Sequence, residues 1–184
     1  MSRLIKRLFD VLASIIGLII LSPIILIAAV ISVISQGFPI FFHHERLGRD
    51  GFPFTMVKFR TMDNGHSLSA KHDITRLTPW GRVLRRTSID ELPQLLNVLK
   101  GEMSLVGPRP PVLSEVVQYN LDDKKRLDAK PGITCIWQVS GRSKIPFKQQ
   151  VQMDKEYIKD QSFIKDVKLL LKTIPAVLFA KGSY

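Results

Sequence analysis

Two adjacent carboxylates, Asp90 and Glu91, carry the most chemistry in this 184-residue chain. They stand in Arg85-Arg86-Thr87-Ser88-Ile89-Asp90-Glu91-Leu92-Pro93-Gln94-Leu95, where a helix is expected to begin. Thr87 and Ser88 are N-cap types, Ser88 and Glu91 have capping-box spacing, and Pro93 suits a first turn. The pair would then sit at the positive end of a helix, which favours ionised carboxylates. Leu92, Leu95, Leu96 and Leu99 mark the expected buried face, and Lys100-Gly101 the end. Taken alone, an acidic first turn is most simply a helix cap. The basic residues around it shift that reading. Arg85 precedes the pair, and two loops follow it, Gly107-Pro108-Arg109-Pro110-Pro111 and Ser140-Gly141-Arg142-Ser143. Cations gathered around carboxylates can hold phosphates, and a proline-stiffened loop presents the Arg109 fork with its reach preset. In Lys58-Phe59-Arg60-Thr61-Met62, strand alternation puts Lys58 and Arg60 on one face as further candidates.

The elements that must position these groups follow from hydropathy and charge. The chain has 27 Lys and Arg against 16 Asp and Glu, a net charge of +11, which implies a polyanionic partner. Its single cysteine, Cys135, permits no intrachain disulfide and reads as a small buried residue. Residues 1–10 are basic and amphipathic, with Arg3, Lys6 and Arg7 on one face toward anionic lipid. No charge occurs from Val11 to Ser35, a length that suffices for a bilayer. Ser22-Pro23 interrupts it: Pro23 removes one backbone donor and the Ser22 hydroxyl can take the freed carbonyl. Positive charge on both flanks gives no orientation signal. It suits a re-entrant helix whose two ends share one side, with a mildly kinked spanning helix as the alternative.

Further on, residues 40–59 predict a β-hairpin around Gly48-Arg49-Asp50-Gly51. Residues 63–75 predict a polar loop, in which His66 and His72 have no partners at zinc-ligand spacing. A helix is expected from Leu77 to Arg86 with Pro79 in its first turn, and another over 114–129 with Val116, Val117 and Leu121 inward. Lys130 to Thr134 reads as a turn and Cys135 to Val139 as a short strand or buried segment. An amphipathic helix is expected over 147–162, and a basic amphipathic one over 163–180, suited to a membrane surface or to packing on the domain.

Several stretches occur together and in order: Ser22-Pro23, Lys58 to Met62, Arg85 to Leu95, Gly107-Pro108-Arg109-Pro110, and Pro131-Gly132-Ile133-Thr134 with Gly141-Arg142. As an ordered set they resemble the monotopic phosphoglycosyl transferases, the bacterial sugar transferase family, over nearly the whole chain. The resemblance implies a mostly α fold with a small β-hairpin. Residues 1–36 would form a re-entrant membrane helix, packed with one catalytic unit over 37–184 that includes amphipathic interfacial helices. It also implies a minimal, catalytic-domain-only member at the cytoplasmic face of a bacterial inner membrane. The implied reaction moves a sugar 1-phosphate from a UDP-sugar to a polyprenol phosphate such as undecaprenyl phosphate, releasing UMP, as the first membrane step of a glycan pathway. By resemblance Asp90 is the nucleophile and forms a covalent aspartyl intermediate, and Glu91 is its helper. Both would be ligands of a divalent metal, Mg²⁺. Arg85, Arg109 and Arg142 would contact phosphate and nucleotide, with Lys58 and Arg60 as further contacts. Self-association and contact with downstream glycosyltransferases stay open, as does the identity of the sugar. Cys135 departs from the family, where many relatives have glycine.

The charge alone would also suit a nucleic-acid-binding membrane protein, but the chain has no recognition motif of that kind and its aromatics do not interleave with the basic runs. A catalytically dead scaffold is the third reading, and the intact Asp90-Glu91 pair argues against it.

Overall fold

The computed structural model describes residues 2–63 and 76–178. The expected loop at 63–75, with His66 and His72, falls almost wholly outside the described residues. The chain is mostly helical. Helix α1 (Arg3–Gln36) leads into a hairpin of β1 (Phe41–Leu47) and β2 (Pro53–Phe59), then α2 (Pro79–Thr87). A 3-10 helix, Ile89–Gln94, runs directly into α3 (Leu95–Lys100). There follow β3 (Ser104–Val106), the single turn α4 (Leu113–Val116), β4 (Gly132–Thr134), α5 (Ile136–Ser140), α6 (Phe147–Lys159) and α7 (Phe163–Leu178).

Helix α1 is the one described helix long and apolar enough to cross a membrane. At about 1.5 Å per residue its 34 residues make a rod of about 50 Å. Ser22 Oγ donates to the Ile19 carbonyl at 2.8 Å, the acceptor that Pro23 leaves without a partner. The helix is inside-out by soluble-protein standards. Asp10, Ser14, Ala28 and Ser32 are its buried residues, while Ile16, Ile19, Ile20, Leu26 and Ile27 are exposed. Small and polar side chains let the backbone approach the domain closely, and the bulky apolar ones are left for another solvent.

Both ends of α1 are tied to the same body. Near its start, Lys6 Nζ pairs with the buried Asp166 of α7 at 2.6 Å, and Phe9 meets Phe163 edge-on. The Arg7 guanidinium donates to the Val98 and Leu99 carbonyls, capping the C-terminus of α3. The Asp10 carboxylate accepts from Leu105 N–H in β3. Near its end, Trp80 Nε1 donates to Ser32 Oγ at 2.9 Å, and Arg60 donates to the carbonyls of Gln36 and Gly37. The expectation that Lys6 and Arg7 face lipid is therefore corrected. Both turn inward to buried acceptors, and only Arg3 of the three is exposed.

The hairpin matches its expectation, with Phe41 opposite Phe59 and Leu47 opposite Pro53. Strand β2 has a bare edge, and Asn97 fills it. Its side-chain amide accepts from Val57 N–H and donates to the Thr55 carbonyl, so a helix residue acts as a third strand. This fixes α3, and the 3-10 helix in front of it, against β2. The expected buried face is thus rotated: Leu95 is buried, but Leu96 is exposed, and Asn97 and Val98 are fully enclosed. Met56, Leu95, Val98, Met103, Val106, Tyr157 and Leu169 form the main core, and Ala28, Phe59 and Leu84 a smaller one.

Three further expectations change. Residues 114–129 break into α4 and a 3-10 turn at Asp123–Leu127, with Val117 and Leu121 exposed. The supposed turn at 130–134 contains β4, which pairs in parallel with β3, Ser104 opposite Gly132. A Cβ at Gly132 would lie 2.1 Å from Gly107 N, so only glycine lets the two strands close this way. The supposed strand at 135–139 is mostly α5. Cys135 precedes it in extended backbone (φ −146°, ψ 172°), buried and free of strain. Helix α7 packs on the domain by one face and leaves an apolar, basic face exposed. Asp166 and Leu169 are buried against the domain, while Ile164, Leu171 and Ile174 remain exposed beside Lys168 and Lys172.

Gly81, in α2, tests how tightly these elements close. A Cβ there would stand 1.9 Å from the Thr61 carbonyl oxygen, a backbone atom that cannot swing away. Gly81→Ala is expected to destabilise the fold by about 1–3 kcal/mol, read as a lowered thermal midpoint. An unchanged midpoint would show that α2 can lift off residue 61 freely.

Candidate active site

Ser88 is the corner on which the site turns. It lies in the left-handed region (φ 55°, ψ 18°), ends α2 and starts the 3-10 helix. It makes no side-chain cap, so the expected capping box is absent. Its carbonyl instead accepts from Glu91 N–H at 3.2 Å. Asp90 and Glu91 thus open a tight 3-10 turn continuous with α3, in place of the first turn of an α-helix. The corner buries Asp90, which is 7% exposed.

The two carboxylates have different surroundings. Lys58 Nζ from β2 donates to Glu91 Oε1 at 2.7 Å, and Arg109 Nη1 lies 3.9 Å from the same oxygen. Burial works to raise the Glu91 pKa, but Lys58 and Arg109, with Arg142 farther off, outweigh it and hold the group below the usual carboxylate range. Asp90 goes the other way. Burial, then the neighbouring Glu91 charge, push it up to about 7 against the opposing pull of Lys58 and Arg85. Among the described residues no side chain donates a hydrogen bond to its carboxylate. One acid is held as an anion by a direct lysine contact, and the other has no such side-chain donor among the described residues.

Four of the expected cations gather round this pair: Lys58, Arg85, Arg109 and Arg142. Arg85 is aimed by Thr61, whose Oγ1 accepts from Arg85 Nε at 3.0 Å. Arg142 leaves α5 with positive φ (52°) and donates to the Gln138 and Ala176 carbonyls. Arg60 lies elsewhere. It is 6% exposed and hydrogen-bonded under the end of α1, because after Lys58 the strand alternation is lost at the end of β2. The sequence reading missed Thr61, Asn97, His44 and Arg46. His44 and Arg46 share a hairpin face with Lys58 through the register Phe42↔Lys58, so the alternation of β1 was the available signal.

No cluster of three or more His, Cys, Asp or Glu capable of metal binding occurs among the described residues. Two adjacent carboxylates, one without a side-chain partner, still fit a hard divalent cation that takes its other ligands from water and phosphate.

The family model described as bacterial sugar transferase matches residues 1–180, and the chain belongs to that family. Two relatives run nearly its full length. The exopolysaccharide production protein ExoY of Sinorhizobium fredii is 40% identical, over 97% of this chain and 88% of its own. The sugar transferase EpsL of Bacillus subtilis is 42% identical, over 97% and 90%. The undecaprenyl-phosphate galactose phosphotransferase of Salmonella typhimurium is 41% identical over all of this chain and 42% of its own.

The environment of Asp90 has a consequence for stability. Its pKa is higher folded than unfolded, so the folded state holds the proton more tightly, and stability falls as pH rises from about 4 to about 7. Asp90→Asn removes that ionisation. It is expected to raise the thermal midpoint at pH 8 and to raise it less at pH 5. An equal shift at both pH values would mean that Asp90 carries no burial penalty.

Proposed function

We propose that this chain transfers a sugar 1-phosphate from a UDP-sugar to a polyprenol phosphate, through a covalent intermediate on Asp90. The observation that carries the reading is the asymmetry of the pair: Glu91 is held by Lys58, while Asp90 is buried among cations with no side-chain donor among the described residues. A nucleophile needs a carboxylate that is not already committed. The names of relatives support the substrates. Besides the galactose phosphotransferase, a relative from Caulobacter vibrioides, 37% identical over 97% of this chain and 72% of its own, is a UDP-glucose:undecaprenyl-phosphate glucose-1-phosphate transferase.

In the first step an Asp90 carboxylate oxygen attacks the sugar-bearing phosphorus. The bond from that phosphorus to the bridging oxygen breaks, and UMP leaves with the electron pair. In the second step a phosphate oxygen of the lipid attacks the same phosphorus, and the Asp90 carboxylate is released. Arg109 and Arg142 are set to hold the diphosphate oxygens, with Arg85 and Lys58 offsetting charge that builds on the transferred group. Binding of a diphosphate draws Arg109 from Glu91, at 3.9 Å a loose contact. Asp90 and Glu91 would hold Mg²⁺ with the diphosphate, and the ion would supply charge neutralisation of the leaving UMP. Two steps suit two substrates of opposite solubility, since the water-soluble donor need not share a shallow site with the lipid.

The same proposal places the site at a membrane face. Both ends of α1 bind one body, so a helix whose middle enters lipid must leave on the side it entered. The exposed Ile and Leu side chains of α1 are the surface that enters. Arg3→Cys and Glu45→Cys, each in a Cys135→Ser background, are expected to react with membrane-impermeant reagents from the same side only. Reaction from opposite sides would mean that α1 spans.

The mechanism is tested with UDP-sugar alone. Intact-mass spectrometry is expected to show one sugar phosphate on the protein, with UMP released, and neither on Asp90→Asn. Arg109→Lys keeps a charge but not the fork, and is expected to lose at least about tenfold in kcat/KM, the worth of one charge-assisted contact of about 1.5–3 kcal/mol. Turnover by Asp90→Asn at a fair rate would mean direct transfer between the two substrates.

A further inference from the structure

The loop that carries Arg109 is hard to hold. Pro108, Pro110 and Pro111 have no N–H, so the loop can be gripped there only through its carbonyls. Three of them are taken. Gly132 N–H donates to Pro108 O at 2.8 Å, on the β4 side. On the hairpin side, Leu47 N–H donates to Pro111 O at 2.9 Å and Arg46 Nη1 donates to Pro110 O at 3.1 Å. Two of these anchors are main-chain and come with the fold. The third, on the residue next to Arg109, is a side chain and depends on which residue stands at position 46.

Arg46 is itself aimed. Its Nη2 donates to His44 Nδ1 at 3.2 Å. An arginine cannot accept, so Nδ1 must be the bare nitrogen and His44 is neutral with its proton on Nε2. Both residues are partly buried on the hairpin face that also presents Lys58, and Arg46 makes no ion pair among the described residues. Glu115 and Glu91 attract the Arg46 guanidinium only from a distance, against burial and the repulsion of Arg109, which is poor design for stability alone.

We propose that His44 and Arg46 are positioning residues for the transfer: His44 fixes the Arg46 guanidinium, which holds the Pro110 carbonyl and so sets where Arg109 meets the diphosphate. This rests on the reading that Arg109 binds the donor. The role is exerted through Arg109, so it makes a signature that a packing role does not. Displacing a binding group by about 1 Å can cost up to about a hundredfold in rate. Arg46→Lys, which keeps the charge but not the planar fork whose two nitrogens reach Pro110 and His44, is expected to lower kcat/KM for the UDP-sugar about tenfold or more.

The experiment is a double-mutant cycle on full-length protein in nanodiscs, measuring UMP release with Arg46→Lys, Arg109→Lys and both. With Arg109 already gone, the Arg46 change is expected to cost less than about twofold more. In parallel, His44→Gln, whose Oε1 can accept in place of Nδ1, is expected to recover most of the activity that His44→Ala loses. Losses that multiply in the double variant would overturn the proposal, as would a His44→Gln protein no better than His44→Ala. Wild-type protein that releases no UMP would instead remove the transferase reading beneath it. If Arg46→Lys fails to fold, the His44 pair decides the matter.

Discussion

One lysine, given to one of two neighbouring acids, sets the two carboxylates apart. Lys58 comes from the hairpin and Glu91 from the corner after α2, so their 2.7 Å contact joins two separate parts of the chain. It holds Glu91 below the usual carboxylate range, while burial first and the Glu91 charge second raise Asp90. Adjacent residues cannot both be buried anions at low cost, so the chain resolves the conflict by pairing one and leaving the other. The hairpin must then be fixed relative to the corner, which is what Asn97 does along the β2 edge. The corner must be fixed relative to α1, which falls to Arg7 and to the packing of Ile89 near Ala28.

Much of this could be read from residue order. The acidic pair, the hairpin, Pro79 at the start of α2, the Ser22 hydroxyl under Pro23 and the closing role of Gly101 all depend on neighbours within a few positions, and local rules capture them. The errors have a common cause in contacts made far along the chain. Nothing near Lys6 announces Asp166, 160 residues away, so a cation buried by its partner looked like one meant for lipid. Leu96 seemed a core residue because nothing local says that Asn97 will act as a strand. The β3–β4 pairing escaped notice because each strand has three residues and gains its meaning only from the other. The site fared better than the fold around it, since charged residues in stiff loops retain their character wherever the loop goes. Arg60 is the exception, drawn off by the carbonyls at the end of α1.

Helix α1 also shows an amphipathicity turned the other way. A soluble helix turns leucine inward and serine outward. Here Asp10, Ser14 and Ser32 face protein, each where a close backbone approach or a buried donor suits a small polar group, and isoleucine faces out. The same inversion, weaker, marks α7, which sits beside α1 through Phe9 and Phe163. The proposed membrane face is therefore built from elements that also complete the core.

That shared construction bears on how such a protein could be made water-soluble. Deleting residues 2–36 would leave the buried Asp166 without its lysine, the end of α3 without its arginine cap and Trp80 without its acceptor. The anchor is thus not a detachable handle. A soluble form calls for repainting instead: the outward Ile and Leu of α1 exchanged for Lys, Glu and Gln, with Lys6, Arg7, Asp10, Ser14, Ala28 and Ser32 kept. Such a surface would free the chemistry of detergent while keeping the helix as the internal strut it is.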